Sequence, residues 1–114
     1  MIKFDETEML TLFEVVDSHQ DSNTSFGYHD YKHVRDDGTV VSLSFNQYEA
    51  DRHISISVRV SSVTTSWTHI NNCEAVRMLD AHKKQLEILF DYNPRLRCFI
   101  DLNGLIIVTM SHVD

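Results

Sequence analysis

A chain of 114 residues is long enough to form one domain whose core needs no disulfide or metal staple. With 42% hydrophobic and 24% charged residues it has the composition of a soluble globular protein, and a formal net charge of −7 sets it against nucleic acid, whose phosphates select Lys and Arg. The longest aliphatic run, Leu105-Ile106-Ile107-Val108, is far too short to span a bilayer, which excludes a membrane role by that route.

The first ten residues, MIKFDETEML, show neither the cationic nor the apolar region of an export signal. Cys73 and Cys98 make no disulfide framework, and both features imply a cytoplasmic protein. Asp5-x-x-Glu8 has the form of a capping box, followed by Met9, Leu12, Phe13 and Val16 at helical spacing. This pattern predicts an amphipathic helix over 6–18, although Leu10-Thr11-Leu12 also alternates and leaves a strand open. The polar run 18–25, SHQDSNTS, reads as a loop.

Three strand-like runs follow. Residues 25–35 are rich in Phe and Tyr and end at Asp36-Asp37-Gly38, a hairpin signal. Residues 39–48 alternate, with Val41, Leu43 and Phe45 on one face and Ser42, Ser44 and Asn46 on the other. Residues 53–61 do the same, with Ile54, Ile56, Val58 and Val60 opposed to Ser55, Ser57, Arg59 and Ser61. Residues 63–67 either continue that strand or form another short one. The pattern implies an antiparallel sheet with one buried face and one wet, Ser-rich face.

Asn71-x-x-Glu74 is a second capping-box candidate, and Ala75, Leu79, His82, Leu86 and Leu89 form one helical stripe ahead of Pro94. Residues 96–102 and 105–110 flank Asn103-Gly104, a strong hairpin signal, and their two-sided apolar character predicts covered, central strands. No linker or repeat divides the chain, so 1–114 is read as a single globular domain. The expected fold class is α+β: an antiparallel sheet of about five to six strands with two helices packed on one face, in the order helix, three-strand meander, helix, hairpin.

Two features could carry chemistry. In YHDYKHVR (28–35), His29 and His33 share a strand face at ~13 Å between Cα atoms, too far apart to be adjacent ligands of one metal. Cys73 falls in the first turn of the expected second helix, where the dipole favours a thiolate, with His69 four residues upstream as a base. No glycine-rich oxyanion turn accompanies this pair, and no GxGxxG, GxxxxGK[ST], HExxH, GxSxG or paired CxxC is present. The reading is therefore no catalytic residue, no metal ligand and no cofactor. A small cysteine- or histidine/metal-dependent enzyme is kept as the alternative.

The charge distribution offers more. Residues 1–21 hold Asp5, Glu6, Glu8, Glu14, Asp17 and Asp21 against Lys3 alone. Strand direction places Asp17, Asp21, Glu49 and Asp51 at one edge of the domain, with Tyr28 and Tyr48 as aromatic anchors. Such an edge suits docking to a basic protein surface. In overall character, and in segments such as FDETEMLTLFEVVD and YEADR, the chain resembles the immunity proteins of bacterial toxin systems, including those of contact-dependent growth inhibition. The resemblance implies a tight complex with a basic cognate toxin, often a nuclease, covering its active site without turnover. It transfers no functional residue. A homo-oligomeric structural module joined through the sheet is a further alternative.

Overall fold

The computed structural model describes residues 1–17, 27–48 and 50–113. Among them are one helix, α1 (Glu6–Leu12), and nine strands: β1 (Val15–Asp17), β2 (Tyr28–Val34), β3 (Val40–Asn46), β4 (Ile54–Val60), β5 (Val63–Ile70), β6 (Cys73–Asp80), β7 (Gln85–Phe90), β8 (Leu96–Asp101) and β9 (Val108–His112). They form two antiparallel sheets in sequence order, β1-β2-β3-β4-β5 and β6-β7-β8-β9. The α+β expectation of two helices on one sheet of five to six strands is thus overturned: the chain is mostly β. The expected meander is present as β2-β3-β4, and its register pairs Ser42 with Ser57 and Ser44 with Ser55 on the wet face.

The first helix forms for the expected reason and ends early. Asp5 Oδ1 accepts the Glu8 N–H at 3.1 Å, a cap that contributes about 1 kcal/mol. Met9 and Leu12 are buried, and the Glu8 carboxylate accepts the Met78 N–H at 2.9 Å, seating α1 on β6. Phe13 then returns to extended backbone (φ −119°, ψ 131°) and packs on Tyr31 with ring centres 5.6 Å apart. Val15 and Val16, stiff β-branched residues, pair with Lys32 and Tyr31 at the sheet edge instead of prolonging the helix.

The second expected helix is a hairpin, β6 to β7. Bulges between Cys73 and Ala75 and between Met78 and Asp80 break the two-residue alternation of β6. The inward residues Cys73 and Val76 therefore stand three apart and imitate a helical repeat. Leu79, part of the supposed stripe, is exposed, and His82 lies exposed in the turn 81–84. That turn has no glycine: Lys84 takes φ 57°, and Asp80 Oδ1 accepts the Lys83 N–H at 2.8 Å.

The core lies between the sheets. Tyr31, Val41, Leu43, Phe45, Ile54 and Ile56 meet Val76, Leu86, Ile88, Cys98 and Ile100. Each fully buried aliphatic or aromatic side chain contributes about 1.5–3 kcal/mol. Only Asn71 and Asn72 separate β5 from β6. Asn72 adopts φ 61°, and the Cys73 N–H donates to the Arg52 carbonyl at 2.8 Å, so the chain turns a corner from one sheet into the other. The N-terminal segment lies along β6, where Lys3 exchanges backbone bonds of 2.9 Å with Glu74 and Val76.

The last hairpin departs from expectation at its second arm. β9 starts only at Val108 and is an edge strand, while Leu105 and Ile106 stand out at the loop tip, 103% and 72% exposed. The loop is drawn toward the five-stranded sheet: Arg35 donates to the carbonyls of Leu102 (2.7 Å) and Gly104 (2.6 Å), and His33 Nε2 lies 2.7 Å from Asn103 Oδ1. A two-residue turn could not reach that far. No helix among the described residues is long and apolar enough to cross a membrane.

Candidate functional site

Register decides which of the anticipated partner-binding residues come together. Tyr28 opens β2 opposite Asn46, the last residue of β3. Tyr48 follows two residues later, its N–H donating to Asn46 Oδ1 at 3.0 Å, and its ring lies over Gly27. Asp51 is exposed in the turn before β4. Asp17 ends β1 opposite Asp30, two residues in from Tyr28 on the neighbouring strand. Tyr28, Tyr48, Asp51 and the backbone of Asp17 therefore share one end of the five-stranded sheet. Asp21 and Glu49 lie outside the described residues.

At this end Tyr48 is 55% exposed. The nearby cation, Arg52, is engaged: its guanidinium pairs with Asp91, which follows β7, and its carbonyl accepts the Cys73 N–H. The turn thus presents an aromatic ring and a carboxylate, with the charge of Arg52 balanced by Asp91.

A second surface was invisible in the sequence. β5 and β9 are each one edge of their sheet, opposite β1 and β6, and an open cleft lies between them. Ile56, Val58, Ser66, Thr68 and Ile70 line one wall; Tyr92, Ile106, Val108 and Met110 line the other. It is continuous along Thr68 and Val108 and holds two pockets of about 340 Å³ each. Around it Leu105, Ile106, Met110 and Tyr92 are all exposed. The run Leu105–Val108 could have signalled it, but an apolar run beside a turn reads more naturally as a buried strand.

The residues considered for chemistry separate. Cys73 is buried, with its Sγ donating to the Ile70 carbonyl at 3.4 Å; burial, helped by Cys98, pushes its thiol up to about 12. With a β-strand in place of the helix, no dipole offsets that burial. His69 sits on the outer, wet face of β5, its Nδ1 3.0 Å from Ser55 Oγ, and Cys73 lies among core residues. The pairing suggested by their spacing is overturned. His29 and His33 do lie on strand β2, in different surroundings: His29 among Phe4, Phe45 and Tyr31, and His33 buried with its Nδ1 donating to Glu14 at 2.8 Å. Among the described residues, no three of His, Cys, Asp and Glu gather closely enough to hold a metal ion. Comparison with protein-family models, with curated proteins and with solved structures finds no match for this chain.

Proposed function

We propose that this chain is an acidic protein-binding domain that neutralises a basic partner by covering its active site, in the manner of a toxin-immunity protein. One observation carries the reading: strand register gathers Tyr28, Tyr48 and Asp51 at one end of the sheet, with Tyr48 exposed and Arg52 withdrawn into an ion pair. An exposed aromatic ring beside an exposed carboxylate gives an anchor and a steering charge for a cationic surface. Asp17, Asp21 and Glu49 extend that charge along the sequence on either side.

The test is retention from native lysate on the immobilised chain and on a Tyr48→Ala/Asp51→Lys variant. A single basic protein held in about equal amount, released by salt and lost with the variant, supports the reading. Equal retention by both forms, or nothing held at low salt, overturns it. The cleft between β5 and β9 favours a second reading, a homo-oligomer joined through these edges, because edge strands with exposed Leu105 and Ile106 in the cleft, and exposed Trp67 on β5 itself, are natural contact surfaces. Light scattering that shows the molar mass rising with concentration, and a Trp67→Lys variant that abolishes the rise, would support it; a constant monomer mass would sink it.

A further inference from the structure

We propose that His53 and His69 form a two-histidine site for a divalent transition-metal ion of tetragonal preference, copper(II) foremost, on the outer face of the five-stranded sheet. His69 lies on β5 opposite Ser55 of β4, and His53 precedes Ser55 by two residues. The two imidazole rings stand with centres 4.4 Å apart and planes inclined by 32°. Metal–nitrogen bonds of about 2.0–2.1 Å place the centres of two cis imidazoles roughly 4.5 Å apart, whereas a tetrahedral angle spreads them beyond about 5 Å. The observed separation is that of the cis arrangement, which suits copper(II) or nickel(II), and copper(II) binds nitrogen ligands the more tightly of the two. Ser55 supplies a supporting contact: its Oγ lies 3.0 Å from His69 Nδ1, which engages that nitrogen and leaves Nε2 as the ligand atom. Water completes the coordination, as the open sheet face permits.

The chain contains a single tryptophan, and it stands edge-on to this pair: Trp67 and His69 ring centres are 6.1 Å apart at 70°. A copper(II) ion bound here would quench almost all of the indole emission. The experiment titrates the purified full chain with copper(II) alone and follows Trp67 fluorescence, with circular dichroism to confirm the fold of each variant. Saturable quenching at one equivalent is expected, abolished by His69→Ala and by His53→Gln, and unaffected by His82→Ala in the distant β6–β7 turn. Ser55→Ala should weaken the apparent affinity about tenfold through loss of the supporting contact. Electron paramagnetic resonance of the copper(II) form should report two nitrogen donors. An absence of saturable quenching, or quenching that survives both His69→Ala and His53→Gln, overturns the proposal.

Discussion

Gly27 holds φ +86°, and any Cβ placed there would collide with the Tyr48 ring. A single residue without a side chain thus sets where the exposed tyrosine sits. Gly27→Ala should cost about 1–3 kcal/mol through backbone strain, read as a lower denaturation midpoint. It should also weaken partner retention as Tyr48→Ala does, since both displace the ring. A second residue-scale device joins the sheets. His33 is buried between Glu14, which precedes β1, and Asn103 of the β8–β9 loop. Burial alone would raise the Glu14 carboxyl; its own backbone N–H, the bond and charge of His33, and the Val34 N–H together outweigh burial and hold it below the ordinary 4.5. A depressed carboxyl adds stability above that value and loses it as pH falls through the folded value. Acid titration of the wild type should therefore show a loss below about pH 4.5, and Glu14→Gln should flatten that part of the profile. An unchanged acid limb would show that Glu14 is energetically idle.

At the scale of elements, the turn between β4 and β5 shows why parts of the fold were hard to read. Ser61 and Ser62 have φ 50° and 67°, and Val60 pairs with Val63, the geometry of a two-residue primed turn made without Asn or Gly. Ser61→Asn with Ser62→Gly should relieve the left-handed backbone and stabilise the chain by about 0.5–1 kcal/mol, seen as a raised thermal midpoint with an unchanged denaturant slope. The meander β2-β3-β4 was legible because Val41, Leu43 and Phe45 alternate without interruption against serines. The β6–β7 hairpin was not, because two bulges interrupt the two-residue alternation of β6 and a glycine-free turn hid the reversal. The N-cap at Asp5 was legible too, although Glu8 turns to the Met78 N–H instead of closing the expected capping box, and where α1 stops depends on β2, a partner that no local window contains. For the candidate site, strand direction rather than alternation placed Tyr28, Tyr48 and Asp51 at the same end, while Asp21 and Glu49 of the same expectation lie outside the described residues. The β5–β9 cleft required knowing which strands end as edges, and that is a property of the whole sheet.

Across the whole molecule, cations serve as clamps. Arg35 ties β2 to the β8–β9 loop, Arg52 ties the β3–β4 turn to Asp91, and Lys84 donates to the Thr11 carbonyl at 2.5 Å, holding α1 to the β6–β7 turn. Acids such as Asp36, Asp37 and Asp51 remain exposed, so the negative balance of the sequence becomes a surface property. Beneath that surface the two thiols report on the unity of the core. Cys73 on β6 and Cys98 on β8 are both fully buried; burial pushes the first up to about 12, with a smaller contribution from Cys98, and the second up to about 11. The unfolded chain releases these protons near the ordinary 9.0, and the folded chain holds them. Their contribution is therefore intact below about pH 9 and is lost as pH rises toward 12. Tyr31, raised by burial and by its bond to Glu6, acts in the same direction, so the thiol share must be isolated by comparison with Cys73→Val/Cys98→Val. That variant should show a shallower fall in stability between pH 9 and 11 than the wild type. At neutral pH both cysteines should resist alkylation and become reactive at one common denaturant concentration, because the residues of the two sheets bury one another and neither sheet keeps a core alone. Two separate exposure midpoints would mean that the second sheet opens while the first remains folded, and a shared core would then be the wrong account of what holds this chain together.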